Sequence, residues 1–194
     1  MGVALVQTDR SAVLRRTVAV VLGAIVVAAA AQVSVPLPGT PVPMTLQPMA
    51  VLLVGGLLDT RLGAFSMIVY LAMGAAGLPV FTPTVPLIGV ARLFGPTGGY
   101  LLAYPVAAWA VGALLTPGRR PGVSPPEWVR AGLAVLAGLV LIHLGGLAQL
   151  AILTGNLSAA ARFGTVPFLV GDLLKIAVLV PVLAKLTPAI RARL

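Results

Sequence analysis

The chain has 194 residues, of which 59% are hydrophobic and only 9% are charged, and its mean hydropathy is +1.09. A soluble domain carries about 25% charged residues to cover its surface, so a water-soluble globular protein is excluded. The formal charge of +9 therefore has to be read against a lipid bilayer before nucleic acid is considered. There is no cysteine, which removes disulfides, thiolate metal sites and thiol chemistry. The 22 Gly and 17 Pro fit membrane helices, where both are commoner than in soluble ones.

Apolar runs bounded by charges and Pro/Gly breaks predict six segments, at 13–33, 46–58, 62–78, 98–115, 131–153 and 166–186. Crossing hydrocarbon takes about 20 apolar residues, and most of these segments approach that length. The first carries Arg15-Arg16, an apolar stretch and then four alanines from Ala28 to Ala31, a pattern that also fits a cleavable signal peptide. Its length, and the further hydrophobic segments behind it, favour a span. The second is short, about 20 Å as a helix. It is either a tilted span or one arm of a re-entrant hairpin with the third. Both arrangements leave the two chain ends on one side.

Basic residues then set the sidedness. Arg10, Arg15, Arg16, Arg61, Arg119, Arg120, Arg130, Lys185, Arg191 and Arg193 fall on one side, Arg92 and Arg162 on the other, and Lys175 lies within the last span. Positive charge collects in cytoplasmic loops, so both termini are expected in the cytoplasm, and the net charge reads as a topogenic signal. No nucleic-acid partner is implied. The linker 119–126 is the single polar stretch and is short, so residues 1–194 are expected to form one all-α transmembrane domain. No internal repeat of the paired-halves kind is visible.

Three of the four acids, Asp9, Asp59 and Glu127, fall in the expected cytoplasmic loops or ends. Asp172 instead sits inside the last span, about two turns from its outer end, and Lys175 follows three residues later on the same helix face. A charge at membrane depth costs about 2.5–3.5 kcal/mol on insertion scales. Two of them there form either an ion pair that fixes packing or a polar clamp for a ligand, with Asp172 accepting from N–H groups and Lys175 donating to a carbonyl or carboxylate. The clamp is the stronger reading, because intramembrane ionisable groups mark functional sites. Thr165 as a cap and Pro167 in the first turn place a helix start just before the pair.

The turn Phe94-Gly95-Pro96-Thr97-Gly98-Gly99-Tyr100 leads into the fourth segment. Two glycines let a backbone come close to something, and a helix N-terminus attracts anions. One reading puts a ligand carboxylate near Arg92 with Tyr100 packing on the ligand; the other makes Arg92 an interface anchor. The stretch from Val33 to Thr45 is uncharged and punctuated by proline. It is either an interfacial loop or a lid over a pocket, with Gln47 offering an amide. Ala24 and Ala28 have the spacing that allows close helix approach, although so alanine-rich a helix produces it easily by chance. His143, the sole histidine, stands mid-span without a second ligand-type residue at useful spacing and reads as a hydrogen-bonded packing residue. No phosphate loop, metal-ligand cluster or nucleophile–base set is present, so the chain is not expected to be an enzyme or to hydrolyse ATP, and no cofactor is implied.

In order and spacing, several of these stretches resemble the BioY family. They are Ala31 to Pro36, Val42 to Gln47, Tyr70 to Phe81, Gly95 to Tyr100, and Pro167 to Lys175. The resemblance implies a six-helix, multi-pass substrate-binding component in the cell membrane that takes up biotin. Its partners would be a transmembrane coupling subunit and two ATPase subunits of an energy-coupling-factor (ECF) module. It also implies that Asp172 and Lys175 hold polar groups of biotin, that the segment 33–45 is the outer gating loop, and that Ala24 and Ala28 dock the coupling subunit. Arg92, Tyr100 and Gln47 as ligand contacts come from the residues themselves. The chain departs from the family at Thr82-Pro83-Thr84-Val85-Pro86-Leu87, where a glycine-rich run is usual. A stiffer loop there reshapes the pocket and leaves a different vitamin open as the ligand. An ion- or proton-conducting protein, with Asp172 and Lys175 as a relay, is the alternative from another class.

Overall fold

A computed structural model of the chain describes residues 10–116 and 125–194. The expected placements of Asp9, Arg119 and Arg120 lie outside the described residues. Helix α1 (Arg10–Gln32) runs into a two-stranded antiparallel ribbon, β1 (Ser34–Val35) paired with β2 (Met44–Thr45), with Ser34 opposite Thr45. Helices α2 (Gln47–Leu57) and α3 (Thr60–Ala75) follow, then a short α4 (Ala91–Phe94), α5 (Gly98–Leu115) and α6 (Glu127–Thr154). The chain ends with α7 (Leu157–Gly164), a 3₁₀ turn (Val166–Phe168) and α8 (Leu169–Arg191).

Each of the six expected segments is a helix; the fourth matches α5 at both ends, and the others differ by one to five residues at each end. α1, α5, α6 and the stretch Leu157–Arg191 are long and apolar enough to cross a membrane. α2 and α3, with 11 and 16 residues, measure about 16 and 24 Å and fall short of a hydrocarbon core of about 30 Å as straight helices. Three elements were not anticipated: α4, α7 and the small ribbon, which makes the fold mostly helical where an all-α chain was expected. The ribbon forms because the prolines between Val33 and Thr45 forbid a helix while leaving two short extended arms free to pair.

Local chemistry sets several boundaries. Asp59 caps α3, its carboxylate accepting from the amides of Arg61 at 2.8 Å and Leu62 at 2.7 Å. Asn156 caps α7 through the amide of Ala159. Gly155 takes the left-handed conformation that ends α6, with φ of 65°. Thr165 does not act as the expected cap: its hydroxyl is buried without a partner, and the chain enters α8 through the 3₁₀ turn carrying Pro167.

The bundle is turned out for lipid. Leu22, Ile25, Leu102, Val106, Trp109, Leu136, Leu173 and Leu174 are exposed, while Val51, Leu52, Met67, Tyr70, Tyr104, Val111, Val135 and Leu183 are buried. An apolar exterior of this extent belongs in hydrocarbon. α5 and α6 pack most extensively, and glycine permits it: a Cβ on Gly99 would strike the carbonyl of Gly145, and one on Gly145 the carbonyl of Gly99. Ala24 is fully buried and Ala28 half-buried against the core. The outward face of α1 carries Leu22, Ile25 and Val26. The small side chains serve packing of α1 against α2 and α3.

At the C-terminal ends of α2, α5 and α8, Arg191 draws three helices together. Its guanidinium donates to the carbonyl of Gly56 at 2.8 and 3.1 Å, to that of Gly112 at 3.2 Å and to the hydroxyl of Thr116. The last carbonyls of a helix lack intrahelical donors, so a cation supplies both hydrogen bonds and charge where the helix dipoles are negative. The N-terminal ends of the same three helices meet at the opposite end of the bundle, around a cavity.

Candidate functional site

The cavity is walled by Val42, Pro43, Pro48, Leu101, Leu139, Ile142 and Phe168. Sites for small organic ligands have apolar walls and a few placed polar groups. Here the polar groups are Gln47, Arg92, Tyr100, His143, Asp172 and Lys175, with Thr45, Thr82, Thr97 and Tyr104. All five residues singled out in the sequence as ligand contacts, on four separate elements, reach this one space.

Asp172 and Lys175 stand on α8, each 7% exposed. Lys175 Nζ donates to Asp172 Oδ1 at 2.8 Å, so the i, i+3 spacing does make an ion pair, and that pair lines the cavity. Asp172 lies in the first turn of α8, nearer the helix end than the sequence suggested, where the dipole favours an acid. The other carboxylate oxygen, Oδ2, is 2.6 Å from Nε2 of His143 on α6. An ionised carboxylate only accepts, so Nε2 carries the proton. His143 is thus hydrogen-bonded as expected, but it belongs to the cavity wall, which its mid-span position among apolar residues did not reveal.

Arg92 is 1% exposed, the largest of the fully buried side chains. Its Nη2 donates to the carbonyl of Thr82 at 2.8 Å, and Nη1 to those of Val85 at 2.5 Å and Leu87 at 3.3 Å. The guanidinium also sits over the ring of Phe81 at 5.9 Å. Burial lowers its pKa from the usual arginine value, yet arginine remains charged in proteins. Nε is buried and unpartnered, and the side chain lines the cavity while its Nη atoms anchor the loop behind it. Arg92 is therefore no membrane-interface anchor.

Tyr100 and Tyr104 line the space, and Tyr70 stands behind Gln47. Tyr100 donates its hydroxyl to the carbonyl of Gly164 at 2.5 Å, which leaves the ring on the cavity. Tyr70 accepts from the Gln47 amide and donates to the carbonyl of Val80 at 3.1 Å. One N–H of the Gln47 amide is thereby used, and its second N–H and its oxygen are the groups it can still offer. The proline-rich stretch folds across the cavity: Val42, Pro43 and Thr45 line it, and Thr40 donates its hydroxyl to the carbonyl of Phe163 at the end of α7, at 2.6 Å. The glycines of the 95–100 turn bring α5 against α6 and the α4 carbonyls rather than against the cavity. A Cβ on Gly98 would meet the Leu93 carbonyl and Gln149, while Gln149 donates to the carbonyls of Leu93 and Gly95.

The fold and site together define a multi-pass membrane protein with an apolar-walled cavity, bearing a few polar groups, at one end of its bundle. The chain belongs to the BioY family, whose model matches residues 5–192. It is 37% identical over 156 residues to the probable biotin transporter BioY of Pyrococcus horikoshii, covering 80% of this chain and 86% of that one. It is also 34% identical over 157 residues to the biotin transporter BioY2 of Lactococcus lactis subsp. cremoris, covering 80% and 81%. Its fold is similar to the crystal structure of the S-component for biotin from an ECF-type ABC transporter. That match has a TM-score of 0.77 and 23% identity, over 92% of this chain and 94% of the other.

Proposed function

We propose that this chain takes up biotin as the membrane substrate-binding component of an ECF-type transporter, and that the cavity is the biotin site. One observation carries the reading: cationic, anionic and amide groups from α2, α4 and α8 converge on a single apolar-walled space. Biotin has a ureido group that needs donors and acceptors, an apolar bicycle and an anionic tail. Asp172 accepts ureido N–H groups, Lys175 donates to a polar oxygen, and Arg92 draws the carboxylate through its positive charge. Tyr100, Phe168 and Leu139 pack on the bicycle, and Gln47 offers its amide oxygen.

The six apolar helices then all reach across the bilayer of the cell membrane as one domain, α2 and α3 as short or tilted spans, with both termini cytoplasmic. The basic residues at the Arg191 end of the bundle support that orientation, and the cavity then opens outward beneath the 33–45 segment. The chain lacks any phosphate-binding loop, so energy comes from partners, a coupling subunit and two ATPases. Because α1 turns Ala24 inward, a coupling subunit that docks on this helix meets its outer face at Leu22, Ile25 and Val26.

The test is uptake of labelled biotin by biotin-requiring cells that lack their own transporter. Expression of this chain with an ECF module should restore uptake, and excess unlabelled biotin should compete while riboflavin and thiamine do not. Competition by another vitamin and not by biotin would reassign the ligand.

A further inference from the structure

We propose that His143 is a positioning residue of the site, fixing the Asp172 carboxylate for ligand N–H groups through a hydrogen bond across the α6–α8 interface. The proposal rests on the reading of this cavity as the biotin site.

Lys175 alone cannot fix the carboxylate. It stands one turn further along the same helix as Asp172, and terminal torsions of carboxylates are broad, so either oxygen can turn to the ammonium. His143 comes from a different element and takes the other oxygen at 2.6 Å, while Lys175 holds the first at 2.8 Å. Two donors on two oxygens define the carboxylate plane. Each oxygen keeps further lone-pair capacity, and Asp172 faces the cavity. The outcome is an acceptor pair at fixed spacing, which suits a ligand that presents N–H donors.

The histidine ring is itself confined. Tyr100 meets it edge-on and Phe168 at a tilt, each with centroids 6.3 Å away. Its Nδ1 is buried and unpartnered, so among the described contacts the bond to Asp172 is what sets the ring's polar orientation. That unpartnered nitrogen also defines the rival role, in which His143 accepts directly from the ligand through Nδ1. The two roles use opposite sides of the ring and can be separated.

Glutamine places its amide nitrogen near the position of Nε2, and asparagine near that of Nδ1. Equilibrium binding of labelled biotin is measured on the purified full-length wild type and on His143→Gln, His143→Asn and His143→Phe, each also tested in an Asp172→Asn background. Positioning predicts that His143→Asn and His143→Phe weaken binding on the order of tenfold, about 1.4 kcal/mol, while His143→Gln recovers most of the affinity. In the Asp172→Asn background the same changes should cost nothing more. Retention by His143→Asn with loss by His143→Gln would overturn positioning in favour of direct contact, and equal affinity in all four proteins would overturn it in favour of packing.

A ligand-free readout stands beside these. The chain has one histidine, so ¹⁵N-histidine spectra report this residue alone. A protonated Nε2 and a bare Nδ1 in the wild type, with both signals moved by Asp172→Asn, support the proposal; identical spectra in the two proteins contradict it. If the wild type binds no biotin, the ligand assignment fails, and the spectra still decide whether His143 holds Asp172.

Discussion

Arg92 Nη2 lies 2.8 Å from the carbonyl oxygen of Thr82, and this contact joins the cavity to the loop 82–87. With two prolines, Thr82-Pro83-Thr84-Val85-Pro86-Leu87 is stiff, and the guanidinium holds three of its carbonyls. A lysine keeps the charge but cannot span those acceptors. We expect Arg92→Lys to lower stability by about 2 kcal/mol, given that hydrogen bonds to charged groups contribute about 1.5–3 kcal/mol each. Hydrogen exchange at the amides of Thr84, Val85 and Leu87 should speed up. Unchanged exchange there would mean that the prolines hold the loop unaided.

The contact of Thr40 with Phe163 is the described hydrogen bond that joins the proline-rich stretch to α7. Thr40→Val keeps the shape and removes the hydroxyl. A hydrogen bond of about 1 kcal/mol corresponds to about a fivefold faster dissociation of labelled biotin, with an association rate little changed. Stopped-flow or filter-binding chase experiments read this directly, and an unaltered dissociation rate would show that the stretch is held closed by its apolar contacts.

Two glycines of the α5–α6 pair separate packing from propensity. Gly99→Ala forces a Cβ into the Gly145 carbonyl, a backbone atom that cannot swing away, so a loss of about 1–3 kcal/mol is expected. Gly132 faces open space, its Cβ meeting nothing nearer than Val180 Cγ2 at 4.0 Å. Gly132→Ala should therefore be neutral or stabilise by about 0.5–1 kcal/mol through helix propensity. Thermal melts in one detergent compare the pair, and similar melting points would contradict the packing described for these helices.

Apolar runs made the helices legible in the sequence, since a segment that must satisfy its own backbone in lipid has little choice but to be helical. The polar residues of the cavity were legible for a related reason. A buried Asp172, Lys175 or Arg92 is costly in an apolar chain, so each stood out by type alone. His143 is hydrogen-bonded as its sequence suggests, but its place beside the site is not legible there, because its bond to Asp172 joins residues 29 positions apart on two helices, and no periodicity reports such a pairing. Ala24 shows another limit: small residues mark close approach but not which neighbour approaches, and within this chain Ala24 is buried where α1 packs on α2 and α3. The ribbon and α7 left little trace because elements this short depend on tertiary contacts such as that of Thr40 with Phe163.

The most direct measurement of the central claim is equilibrium binding of labelled biotin to detergent-purified wild type, Asp172→Asn and Lys175→Ala, with folding of each verified by its melting curve. Removing one partner of a buried, paired charge costs about 3–5 kcal/mol where the pair is fully enclosed, and an open cavity moderates this. The account predicts saturable binding by the wild type and a loss of 100-fold or more, roughly 2.7 kcal/mol or above, in both folded variants. Equal biotin affinity in all three proteins would contradict it and return Asp172 and Lys175 to a purely structural pair.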